Sequence, residues 1–77
     1  MPFVNIRTAK GLLTTERKRE LSSRITDLLV EVEGRGNPAF RSYVLVLIEE
    51  HDADAWAAAG QQLTPAAIDA LIGAAGS

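Results

Sequence analysis

The apolar and polar positions divide the chain into a short alternating segment, a long segment of helical period, a continuous apolar run and an alanine-rich tail. From Phe3 to Thr8 the residues alternate, with Val4 and Ile6 on one face and Phe3, Asn5 and Arg7 on the other, which is the period of a β-strand. Lys10-Gly11 breaks the alternation, and Thr14 or Thr15 can cap a following helix that carries Glu16 in its first turn. Leu21, Ile25, Leu28 and Val32 then recur at spacings of four, three and four, which gives this helix one apolar face. It ends near Glu33, because Gly34-Arg35-Gly36-Asn37-Pro38 supplies a residue that tolerates the left-handed conformation and a proline that cannot continue a helix.

Tyr43 to Ile48 is continuously apolar and rich in β-branched residues, so it predicts a central strand buried on both faces. Strand, crossover helix and strand make a βαβ unit with parallel strands, and such crossovers are right-handed in nearly every protein. From His51 to Gly60 an acidic start, five alanines and a final glycine suggest a turn of helix or a loop. Thr64-Pro65 places a capping residue ahead of a proline suited to the first helical position, and Ile68, Leu71 and Ile72 form a narrow apolar stripe before Gly73. The expected fold is α/β (α+β): a parallel two-strand unit, one long helix and short C-terminal helices in a single domain, residues 1–77. One helix covers only one side of such a sheet, so a homodimer or higher homo-oligomer is expected to complete it.

Composition narrows the partners. With 77 residues and no cysteine the chain has neither a disulfide framework nor thiol chemistry, and at this length association often completes the core. No apolar run approaches the roughly 20 residues of a membrane-spanning helix, and no secretory leader pattern opens the chain, so a cytoplasmic location and no membrane contact are expected. The net charge of -2 and the absence of a basic stripe argue against nucleic acid. Arg17, Lys18 and Arg19 are flanked by Glu16 and Glu20 and read as a solvated helix face. The single histidine, His51, sits among Glu49, Glu50 and Asp52 and reads as solvent-facing at a strand end, which leaves no histidine pair for a metal. Gly34-Arg35-Gly36 follows a helix instead of opening one after a strand, so it is no phosphate-binding fingerprint. The expected partner is a small molecule, with no cofactor.

What remains is the opening Met1-Pro2-Phe3-Val4-Asn5-Ile6. A methionine before a small residue is readily removed, which would expose the secondary amine of Pro2 at the start of a strand. An amine beside apolar side chains has its pKa lowered by desolvation and can then serve as a base near neutrality. A proline at this position also suits a strand edge where no ladder donor is required.

The chain resembles the 4-oxalocrotonate tautomerase family. The likeness lies in Met1-Pro2 before an alternating strand, in Gly11, in Ile25-Thr26-Asp27-Leu28, in the apolar strand Val44 to Ile48 and in the aromatic Trp56. Its length, Asp54-Ala55-Trp56 and Ala70-Leu71-Ile72 look most like the short dimeric bacterial members with an added C-terminal helix. The resemblance implies a proton shuttle in which Pro2 takes a proton from an enol or a carbon next to a carbonyl and returns it elsewhere.

Members acting on dicarboxylates carry arginines after the first strand and on the second. Here those places fall on Leu12 and Leu45, which cannot reproduce a bidentate clamp. An apolar pocket formed by Leu12, Leu45 and Trp56 is therefore expected, with an aromatic or monocarboxylic 2-oxo acid as substrate. Trp56 serves equally as a pocket wall or a core anchor. Asn5, Arg7, Arg35 and Arg41 are available as donors or cations but read more readily as surface residues. Two other readings remain open: a non-catalytic module of the same fold, and another reaction of the proline amine such as hydration, dehalogenation or carbon-carbon bond formation.

Overall fold

The first strand, β1 (Phe3–Ala9), forms where the alternation lies, and the second, β2 (Leu45–His51), pairs with it in parallel, Phe3 opposite Leu45 and Ala9 opposite His51. The computed structural model describes residues 1–76, and side chains at all of these except 71 and 74–76. Because the two strands are in phase, Val4, Ile6, Val46 and Ile48 share one face, and all four are half-buried there. The long helix α1 (Thr15–Val32) covers that face, its start tied to the end of β2 by the Lys18–Glu50 ion pair. Thr14 caps it as expected, accepting a hydrogen bond from the Arg17 N–H at 3.1 Å.

The connection back to β2 contains a feature the sequence pattern does not signal, a 3-10 segment over Pro38–Tyr43. Asn37 caps it, accepting from the Ala39 N–H at 3.0 Å. Phe40 packs so closely on Gly34 that a Cβ there would lie 2.6 Å from its ring, so only glycine fits. Arg35, at φ 54°, takes the left-handed conformation that ends the helix, and Arg41 crosses to Asp27 of α1.

The strand expected from Tyr43 to Ile48 begins instead at Leu45 and runs through the two glutamates, with Tyr43 in the 3-10 segment. It is not buried on both faces within one chain: Leu45 is 50% and Leu47 44% exposed. The apolar run is continuous, yet only one layer of this chain is available to cover it. The apolar stripe of α1 is covered only in part for the same reason. Leu21 and Ile25 are half-buried, but Leu28 and Val32 are 56% and 70% exposed because the helix outreaches a two-stranded sheet.

Beyond β2 the alanine-rich stretch forms a 3-10 turn (Ala53–Ala55) and then a two-residue hairpin of β3 (Ala57–Ala58) and β4 (Gln61–Gln62). Positive φ at both Ala59 (52°) and Gly60 (76°) gives the tight turn whose twist matches flanking strands. The last helix, α2 (Pro65–Gly76), starts on the cap expected from Thr64, whose hydroxyl accepts from the Ala67 N–H at 3.1 Å, and continues past Gly73. Of its apolar stripe, Ile68 is half-buried and Ile72 exposed, while the Leu71 side chain lies outside the described residues.

Among the described residues only Ala9 and Ala53 are buried, and no large side chain is. The radius of gyration is 15.4 Å, against about 11.5 Å for a compact chain of this length. Its surface of 5852 Å² exceeds by about 1,300 Å² that of a compact monomer of equal mass.

Candidate functional site

Pro2 stands immediately before β1, half-buried, and its carbonyl accepts the Leu45 N–H at 3.1 Å. This bond holds Pro2 at the edge of the ladder and puts it beside Leu45, one of the expected pocket residues. Around them the open face of the sheet is apolar, with Phe3 59%, Leu45 50% and Leu47 44% exposed.

Leu12 and Trp56 come together elsewhere. They line a cavity of about 300 Å³ with Ala9, Leu63 and Ile68, and Arg7 and Thr8 are its polar members. The Lys10 N–H continues the ladder to the His51 carbonyl at 2.8 Å, which leads the chain from β1 round to Leu12. On the other side the Trp56 N–H donates to the Ala53 carbonyl at 3.1 Å and the Trp56 carbonyl accepts from Leu63 at 2.9 Å, fixing the indole between the 3-10 turn and β4. Its ring meets His51 edge-on at 6.3 Å. The indole Nε1–H is shielded from solvent and has no acceptor.

The expected site residues therefore form two groups, Pro2 with Leu45 and Leu12 with Trp56, at opposite ends of β1. At about 3.3 Å per residue, Pro2 and the Arg7 end of the cavity are some 17 Å apart within one chain.

The open face changes character along β1 as well. Beyond Leu47 it becomes polar: Glu49 accepts from the Asn5 amide at 3.2 Å and lies 3.2 Å from Arg7 Nε and 3.6 Å from His51 Nε2. The Asn5 hydrogen bond, ahead of the one from His51 and the charge of Arg7, holds the Glu49 carboxyl below its ordinary range. Asn5 and Arg7 are thus organised by this carboxylate. Arg41 is engaged with Asp27 on α1, and Arg35 sits in the helix-ending turn. The sequence pattern marks Ile68 only as part of a helix stripe and signals neither Leu63 nor the place of Arg7 beside an apolar cavity, because the hairpin that brings Leu63 round to Trp56 carries little strand signal.

A second cavity, of about 380 Å³, is lined by Lys10, Asp52, Ala53, Asp54 and Pro65. Its one lysine is outnumbered by two aspartates, so among the described residues it offers no net cation.

A parallel two-strand sheet with a crossover helix and Pro2 at the head of its first strand is matched by a family model described as tautomerase enzyme, over residues 2–66. The chain belongs to the tautomerase family. It is 42% identical over 64 residues to the probable tautomerase K2 of Dickeya dadantii (strain 3937), covering 83% of this chain and 90% of that one. Among solved structures it is similar to YwhB, a homologue of 4-oxalocrotonate tautomerase, at 33% identity and a TM-score of 0.69, covering 79% of this chain and 92% of YwhB. DmpI from Helicobacter pylori follows at 30% identity and a TM-score of 0.66, covering 79% of this chain and 88% of its own. The tautomerase family match ends just inside α2, so the helix that brings Ile68 to the cavity lies almost wholly beyond it.

Proposed function

We propose that the chain is an enol-keto tautomerase in which the amine of Pro2, freed by removal of Met1, acts as the general base on an aromatic or monocarboxylic 2-oxo acid. The observation that carries this reading is the position of Pro2, held at the head of β1 by the Leu45 hydrogen bond on an apolar face. An amine there is fixed in direction and partly desolvated, which favours its neutral, proton-accepting form. It removes a proton from the enol hydroxyl or the carbon next to the carbonyl and returns it at the other end of the conjugated system.

The apolar cavity beside Trp56 suits the substrate's body, but about 17 Å of strand separates it from Pro2 of the same chain. A second copy of the chain is the proposed supplier of the missing part, so that Pro2 of one copy meets the cavity of another. The excess exposed area of about 1,300 Å² supports this, since stable interfaces bury on the order of 800 Å² per partner.

The test follows ketonisation of the enol of phenylpyruvate, after mass analysis of the mature N-terminus. Pro2→Ala is expected to lower kcat/KM by about a hundredfold or more, the usual contribution of a general base. Equal rates for the two proteins would remove Pro2 from the mechanism. Met1 retained on natively produced protein would leave an amide in place of the base and favour a non-catalytic module.

A further inference from the structure

Among the described residues Arg7 is the single charged one lining the cavity beside Trp56; the other walls are Thr8, Ala9, Leu12, Trp56, Leu63 and Ile68. At about 300 Å³ the space lies at the small end of ligand pockets. A mostly apolar cavity with one cation among its described walls discriminates in two ways. A second anionic group on a ligand would meet no cation, and a ligand without an anionic group would leave the guanidinium unused.

We infer that this cavity is a binding site for a small organic monoanion with an apolar body, and that Arg7 holds its anionic group while Leu12, Trp56 and Ile68 enclose the rest. Arg7 Nε lies 3.2 Å from Glu49 Oε2, which sets its direction but also competes with a ligand. Glu49 keeps the Asn5 amide at 3.2 Å and His51 at 3.6 Å if Arg7 turns to an incoming anion, so the exchange strands no carboxylate. A planar guanidinium meets a carboxylate with two parallel hydrogen bonds, which a solvated lysine would not reproduce. Ile68 comes from α2, so enclosure of the apolar end belongs to the segment beyond the family match.

This deepens the tautomerase reading and rests on it only in taking the ligand to be the substrate; binding is measurable without turnover. Trp56 is the sole tryptophan, and it forms a wall of the cavity, so its fluorescence reports occupancy directly. The experiment titrates the mature protein with phenylacetate and with the uncharged 2-phenylethanol. Wild type is expected to bind phenylacetate more tightly, with a saturable change in Trp56 emission. Arg7→Met is expected to weaken phenylacetate about fivefold, as for a partly exposed ion pair, and to leave 2-phenylethanol within twofold. Glu49→Gln, which removes the competing carboxylate, is expected to tighten phenylacetate and provides a second reading should Arg7→Met fold poorly. Equal affinity for the two probes, an unchanged phenylacetate affinity in Arg7→Met, or no saturable emission change overturns the inference. A loss of Arg7 dependence with Pro2-dependent ketonisation intact would sink this assignment alone, whereas Arg7-dependent binding without Pro2-dependent turnover would sink the tautomerase reading alone.

Discussion

The two faces of the β1–β2 sheet are made by alternate residues of the same strands, yet they have different fates. Val4, Ile6, Val46 and Ile48 find cover under α1. Phe3, Leu45 and Leu47 are of the same apolar kind and remain about half exposed. The open face is also graded, apolar at the Pro2 end and charged at the Arg7, Glu49 and His51 end. Apolar residues on the covered face hold the fold of one chain, and those on the open face await a second layer, as the proposed assembly requires.

Substitutions that treat the faces differently test this contrast. Val46→Asp places an unpaired charge under α1 and is expected to cost on the order of 3 kcal/mol, read as a lower urea midpoint or loss of the helical circular-dichroism signal. A folded Val46→Asp protein of unchanged midpoint would mean that α1 does not seal this face. The neighbouring change Leu47→Lys is expected to keep the helical signal but to reduce the sedimentation mass to the 8.3 kDa of a single chain. An unchanged mass would leave the open face without a structural role.

The smallest expected effect concerns the tie between α1 and β2. Lys18, first by its hydrogen bond and then by its charge, holds the Glu50 carboxyl below its ordinary value of 4.5. A carboxyl lowered on folding stabilises the fold fully above the unfolded value and loses that contribution as pH falls through the folded one. Wild type should therefore melt slightly above Glu50→Gln at neutral pH, and the gap should close as the pH is taken below 4.5. A gap that persists at low pH would assign the difference to packing and not to charge.

The strand alternation, both helix caps and the proline that follows the helix were legible in the sequence because each depends on neighbours within a few residues. The faces of β2 were not. A continuous apolar run states that a strand can be covered twice, and leaves open whether the second cover comes from the same chain. The hairpin at Ala57 to Gln62 was illegible for a different reason: alanine and glutamine favour strands little, and its one cue is the Ala59-Gly60 turn. Leu12, Leu45 and Trp56 were read as one pocket around Pro2, whereas within one chain Leu12 meets Trp56 at one end of β1 and Leu45 meets Pro2 at the other; the length of strand between them appears only in three dimensions. Arg7 was counted among the available cations but read as a surface residue, which it is, because nothing local places a cavity beside it.

The excess surface described for the single chain has a bearing on quantity. When folding and association bury the same apolar area, stability rises with the amount of protein, because every subunit is a stabilising ligand for its neighbour. On the proposed assembly, dilution would lower the melting temperature and dismantle the site together, so that specific activity would fall with concentration, and expression level would set how much of each molecule's capacity is available.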